Sequence, residues 1–211
     1  MKLLSITALQ RMTIMLCVIS NITIFGITAA HAQGVDYWYT SGNQILDSGN
    51  RPVRIAGINW FGFETRSFVV HGLWAQDYKY ILNAIKSNGY NVIRIPLSNE
   101  LVESNPLPTA ETISFSNSSG PINSDLRGLH GLEILDKVIS YAGSIGLRVI
   151  LDNHRSEAGD SAESNGLWYA PGYPESAWIA DWQALTNQHR SLSFQSREGT
   201  LLNIKGGVAR I

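Results

Sequence analysis

Asn91-Val-Ile-Arg-Ile-Pro96 and Gly146-Leu-Arg-Val-Ile-Leu-Asp-Asn-His154 are two apolar, β-branched runs, each carrying or ending in a polar group able to do chemistry. A third run of the same kind, Val53-Arg-Ile-Ala-Gly-Ile-Asn-Trp60, leads directly into Phe61-Gly-Phe-Glu64. Short β-branched runs separated by helical patterns read as parallel strands of βα units. Tyr78, Ile81, Leu82 and Ile85 give the first intervening stretch, Ala75–Asn88, a helical period that Asn88-Gly89 stops. Leu132–Ser144 repeats that period with Leu132, Leu135, Val138, Ile139 and Ala142. A third amphipathic helix is expected over Glu175–Gln188. The fold class is therefore α/β, with strands expected at Val53–Ile58, Asn91–Ile95 (closed by Pro96) and Leu147–Leu151. In an α/β barrel the carboxyl ends of such strands hold the active site.

Ahead of these units, Asp36–Thr40 and Gln44–Leu46 read as a β-hairpin, with Asp47-Ser-Gly-Asn50 as a turn. Residues 97–128, rich in Ser, Asn, Pro and Thr, and residues 155–175 read as long loops on the strands' carboxyl side.

The first 32 residues are read as a secretory signal peptide. Lys2 and Arg11 precede an apolar stretch from about Met12 to Ala30, and Ala30-His-Ala32 supplies small residues for cleavage before Gln33. The alternative is an uncleaved anchor; Asn21 and several hydroxyl residues weigh against it. The single cysteine, Cys17, lies in this segment, so the remainder has no disulfide framework. Cleavage leaves 179 of the 211 residues and shifts the net charge from −1 to −3, with no charge run. Neither nucleic acid nor, after cleavage, a membrane is expected as a partner. That length is short for a closed (β/α)8 barrel, which takes about 250 residues.

Arg94 is a cation within an apolar strand, and such a guanidinium requires a carboxylate and further acceptors. It either orients a catalytic carboxylate or is satisfied structurally. His154 either meets substrate beside the scissile bond or caps the strand end. Glu64 has no identifiable carboxylate partner for paired acid and nucleophile chemistry and is read as structural. Trp60, Trp74, Trp168 and Tyr169 follow strands, where flat rings can cover pyranose faces. The alternative for tryptophan is core packing, the reading preferred for Trp178 and Trp182. His71, His130 and His154 show no metal-ligand spacing, and no metal or cofactor is expected.

Four linked segments are similar to secreted bacterial endoglucanases of glycoside hydrolase family five. They are Arg51–Thr65, Val70-His-Gly-Leu-Trp74, Leu129–Lys137 and Gly146–His154, and the likeness runs from about Trp38 to Gln188. The resemblance implies the N-terminal portion of a (β/α)8 TIM barrel, about three βα units. It also implies retaining hydrolysis of β-1,4-glucosidic bonds in cellulose or a related polysaccharide. It makes Arg94 and His154 supporting active-site residues and His71, Trp74, Trp168 and Tyr169 substrate-binding residues. The family's acid/base glutamate, in Asn-Glu-Pro after the fourth strand, and its nucleophile after the seventh do not transfer, since no Asn-Glu-Pro occurs in this sequence. The pattern departs from the family at about His189, as a frameshift, premature stop or misassigned gene would produce. Residues 33–188 are thus expected as a partial barrel domain, and 189–211 as a divergent tail without a strand at the expected place. The third strand should then present an unpaired edge, and this polypeptide should have negligible glucanase activity. A non-catalytic glucan-binding protein, or a mannanase or other β-glycanase relative, are the alternatives.

Overall fold

The computed structural model describes residues 38–161, 163, 165–195 and 201–203, the last segment and 189–195 as backbone alone. The signal-peptide segment lies outside the described residues. Contacts divide the chain after Gly34, and the unit that begins at Val35 holds the strands and helices.

The hairpin forms as β1 (Trp38–Ser41) and β2 (Gln44–Asp47), antiparallel, with Gly42 supplying a positive φ of 57° in the turn. Strand β3 (Gly57–Asn59) is shorter than the apolar run that announces it. The start of that run is drawn to the hairpin, where Pro52 just before it bridges Leu46 and the Val53 N–H donates to the Ile45 carbonyl. Helix α1 (Tyr78–Ser87) begins where the Asp77 side chain accepts from the Lys79 N–H, three residues later than the period suggests. Strand β4 (Val92–Ser98) continues through Pro96 rather than ending there. The Trp60 N–H donates to the Arg94 carbonyl, so even-numbered peptide groups of β4 face β3. Pro96 falls where a donor would face β3 after β3 has ended, and no sheet bond is lost.

The loop expected after β4 has structure of its own. Ser98 caps α2 (Asn99–Ser104) by accepting from the Leu101 N–H, which points Leu101 into the core. A small hairpin, β5 (Ser116–Asn117) with β6 (Gly120–Pro121), and a 3-10 turn at Ser124–Leu126 follow. Helix α3 (Gly131–Ser144) buries Ile134, Leu135, Val138 and Ala142. Its start is secured by the Glu133 carboxylate, which accepts from the His130 N–H at 2.6 Å. Strand β7 (Arg148–Arg155) carries Asp152, Asn153 and His154 within the strand. Helix α4 (Glu175–Gln195) runs seven residues past its expected end. Strand β8 (Leu201–Asn203) then pairs parallel with β7.

The parallel sheet therefore has the order β3-β4-β7-β8. This order corrects two expectations: the tail supplies a strand, and the outer edge of the third barrel-type strand is paired. The strand forms at Leu201–Asn203, inside the sequence Thr200-Leu-Leu-Asn-Ile204, an apolar run too short to establish a period.

Alternation divides the two faces of the sheet. Ile93, Ile95, Leu97, Val149 and Leu151 join Tyr78, Leu82, Leu135 and Val138 in one apolar core between sheet and helices. Each such buried side chain contributes about 1.5–3 kcal/mol. Val92, Arg94, Ile150, Asp152 and His154 belong to the alternate set, which carries the charges. Among the described residues no helix is long and apolar enough to cross a membrane.

Candidate functional site

Register brings the polar residues together. Arg94 is paired with Ile150, so Asp152, two residues on, stands diagonally ahead of it on the same face. The Arg94 guanidinium donates to Asp152 Oδ2 in an ion pair. It also lies 3.2 Å from His154 Nδ1 and 3.4 Å from Asn59 Oδ1 of β3. His154 Nδ1 is in turn 3.1 Å from Asp152 Oδ2. Asp152 has 7% of its side chain exposed, against 32% for Arg94 and 41% for His154. A buried carboxylate thus holds two partly open, cationic or protonatable groups at the carboxyl ends of three adjacent strands.

His154 also lines a polar cavity of about 180 Å³ with Phe61, Glu64, Thr65, Gly159, Asp160 and Ser161. Glu64 is buried, and its carboxylate accepts from the Gly62 N–H at 2.6 Å. It organises the loop after β3, in keeping with its structural reading.

A second group lies on that loop. Phe61 stacks on His71 with centroids 4.3 Å apart, and His71 meets Trp74 edge-to-face at 4.2 Å. Phe61 and Trp74 are 47% and 45% exposed, an unusual state for large apolar rings. The backbone forces this arrangement. The His71 N–H donates to the Phe61 carbonyl at 2.8 Å, and Gly62 has φ 135°. A Cβ on Gly62 would lie 2.1 Å from the Val69 carbonyl oxygen, so only glycine lets the two stretches close. Phe61 is common to both groups, stacking on His71 and lining the cavity beside His154.

Trp60 does not take part as a surface ring. It is buried in the core and donates from Nε1 to the His71 carbonyl at 2.9 Å, supporting the aromatic row from behind. Trp168 and Tyr169 form their own edge-to-face pair, 5.4 Å apart and exposed. Among the described residues no ring contact joins that pair to His71 or Trp74. Trp178 and Trp182 pair on α4, with Trp182 packed against the core.

Sequence reasoning passed over Phe61, Asn59 and Asp152 as site members. Asp152 had a signal: a cation in an apolar strand needs a carboxylate, and Asp152 shares a strand face with His154. Phe61 had the weaker one of following a strand end. Asn59 had none.

Beside this cluster, the other face of β7 carries a buried polar chain. Asn153 donates to Asn99 Oδ1 at 3.1 Å, and Asn99 donates to Asp181 Oδ2 of α4 at 2.5 Å. Burial pushes the Asp181 carboxyl above the ordinary aspartate value; the Asn99 amide acts in the opposite sense and Glu103 adds to the rise. Among the described residues, no group of three or more His, Cys, Asp or Glu is placed to hold a metal ion.

The family model described as Cellulase (glycosyl hydrolase family 5) matches residues 46–192. An endoglucanase of Paenibacillus polymyxa is 38% identical over 82% of this chain and 42% of its own length. The major extracellular endoglucanase of Xanthomonas campestris is 35% identical over 78% of this chain and 32% of its own length. The chain thus spans well under half of either relative. Among solved structures, a variant of an endocellulase from Pyrococcus horikoshii in complex with cellotetraose superposes with a TM-score of 0.64. It is 34% identical over 78% of this chain and 41% of that one. The catalytic domain of the Xanthomonas endoglucanase gives a TM-score of 0.65 at 33% identity, over 78% of this chain and 44% of that one.

Proposed function

The chain belongs to glycosyl hydrolase family 5, the cellulase family, and on that premise we propose that it forms the glucan-receiving portion of a β-1,4-glucanase site. In this reading the sheet is the N-terminal part of a (β/α)8 barrel. The observation that carries it is continuity: Trp74, His71 and Phe61 lead to the cavity beside His154, Asp152 and Arg94. Stacked rings offer faces to pyranose rings. His154 offers a ring nitrogen to a hydroxyl beside the cleaved bond. Arg94, held by Asp152, offers a fixed positive charge by which a catalytic carboxylate is oriented and kept ionised. Trp168 and Tyr169 form a second sugar-binding pair. Residues 1–32 direct secretion, a reading supported by relatives of which one is described as extracellular.

Retaining hydrolysis needs a carboxylic acid and a carboxylate about 5 Å apart. Of the carboxylates at or beside the cavity, Asp152 is committed to Arg94 and Glu64 to the Gly62 N–H, so Asp160 has no second uncommitted carboxylate among the described lining residues to pair with. Residues 1–211 contain no Asn-Glu-Pro. The polypeptide 1–211 alone therefore binds β-glucan without cleaving it at a measurable rate. The family model matches through residue 192, past the expected departure at about His189, and the helix continues to Gln195.

The test pairs binding with turnover. Cellotetraose should bind saturably, and Trp74→Ala should weaken it by about tenfold, the upper end for loss of one aromatic contact. Carboxymethylcellulose should yield no reducing ends above the blank. Absence of cellotetraose binding by folded protein would overturn the binding role. Turnover that His154→Ala abolishes would overturn the inactivity.

A further inference from the structure

We infer that Asn123 is a positioning residue for the Trp74 ring, acting from the loop between α2 and α3 without touching substrate. This rests on the sugar-binding reading of Trp74. Asn123 is wholly buried, in a left-handed conformation with φ 48° and ψ 25°. A buried amide must satisfy its hydrogen bonds, and most partners of Asn123 belong to one short segment, residues 73–78. Its Nδ2 donates to the Leu73 carbonyl at 3.0 Å and the Gln76 carbonyl at 3.2 Å, which flank Trp74 in sequence. The Ser114 carbonyl, also at 3.0 Å, shares the same two N–H groups in a bifurcated contact and closes Asn123's own loop. Its Oδ1 accepts from the Tyr78 N–H at 2.9 Å, and its backbone N–H donates to Asp77 Oδ2 at 2.7 Å. Asp77 is the residue that caps α1.

Trp74 therefore lies between two carbonyls held by one side chain, next to a helix start held by the same residue. The arrangement is reinforced nearby, where the Ser114 N–H donates to the Leu73 carbonyl and Asn117 Nδ2 to the Ala75 carbonyl. Leu73 is fully buried while Trp74 is 45% exposed, so the segment anchors on one side and presents the indole on the other. An exposed ring binds sugar well when its backbone is already ordered, because binding then pays little conformational entropy. The Ser/Asn-rich loop thus has a role at the site, although it supplies no group to it.

The experiment uses Asn123→Gly, which keeps the left-handed backbone and removes the amide, and Asn123→Asp, which keeps its shape and the Tyr78 contact but ends the Nδ2 donations. Cellotetraose binding is titrated in both, in Trp74→Ala and in Asn123→Gly/Trp74→Ala, and amide exchange is followed over residues 70–78. Binding should weaken by about tenfold in Asn123→Gly, as for loss of the Trp74 contact itself. It should weaken no more than about twofold further when added to Trp74→Ala. Exchange should quicken at the Ala75 and Gln76 amides, both bonded to the Gly72 carbonyl. Wild-type affinity in either Asn123 variant, or equal losses in both backgrounds, would overturn the inference. Wild-type protein that binds no cellotetraose overturns the sugar-binding reading, and the positioning role with it. Binding intact in wild type and in Asn123→Gly overturns the positioning role alone.

Discussion

The strand-end cluster and the aromatic row lie side by side, yet they are built by opposite means. Arg94, Asp152 and His154 are placed by sheet register: one face, adjacent strands, residues two apart. Phe61, His71 and Trp74 are placed by irregular backbone, closed at Gly62, backed by Trp60 and stapled by Asn123. The first arrangement needs few special residues because the sheet supplies the geometry. The second needs several, each with one task. Errors in the first should cost charge compensation, and errors in the second should cost shape.

The sharpest break is at Gly62. Substitution by alanine puts a Cβ 2.1 Å from the Val69 carbonyl oxygen and 2.8 Å from the His71 nitrogen, with φ at 135°. Strain and overlap together should cost about 4 kcal/mol, read as a fall in the urea midpoint. Phe61 and His71 should separate, so cellotetraose binding should fall further than in Trp74→Ala. A variant of wild-type stability and affinity would mean that the aromatic row does not depend on this closure.

Asp152→Ala tests the other region. It leaves the Arg94 guanidinium without the carboxylate that holds it, and removing one partner of a buried pair costs about 3 kcal/mol, at the low end of the range because Arg94 is a third exposed. Asp152→Asn keeps the shape and removes the charge, and should lose less. The order Asn above Ala in unfolding free energy, with the aromatic row's exchange unchanged in both, would establish that the two regions fail independently. Equal losses would show that charge, not shape, matters at Asp152.

The same contrast explains what the sequence discloses. Strand periodicity and the helical spacing of α1 and α3 made the α/β plan legible. Arg94 in an apolar strand demanded a carboxylate, and Asp152 is the one it meets. Boundaries were less legible where local hydrogen bonds decide them. The Val53 N–H is taken by the hairpin, Asp77 delays α1, and Pro96 sits where its missing donor is harmless. Trp60 shows the limit for the aromatic row, since its position after a strand resembles that of Trp74 although one ring is buried and the other open. Which of two such rings turns inward depends on partners such as the His71 carbonyl and Asn123, distant in sequence and without any period. The tail strand at Leu201–Asn203 was missed because three residues establish no pattern.

The smallest expected effect sharpens the comparison at the back of the strand end, where a buried chain replaces the ion pair. Asp181 receives one amide bond from Asn99 and no ion pair among the described residues, and burial raises its carboxyl above the ordinary value of 3.8. The sign follows from linkage: a carboxyl raised on folding favours the native state while protonated, below about pH 3.8, and that contribution is lost as pH rises through the folded value. Asp181→Asn removes the titration. The unfolding free energy of wild type minus variant should therefore decline between about pH 4 and pH 7, measured by urea titration at each pH. The register-built cluster tolerates charge because Asp152 and Arg94 compensate each other. The helix contact does not, because an amide satisfies a hydrogen bond without cancelling a charge. A pH-independent difference would mean that Asp181 is solvated well enough to ionise at its ordinary value, and that its contact with Asn99 costs the helix nothing in charge.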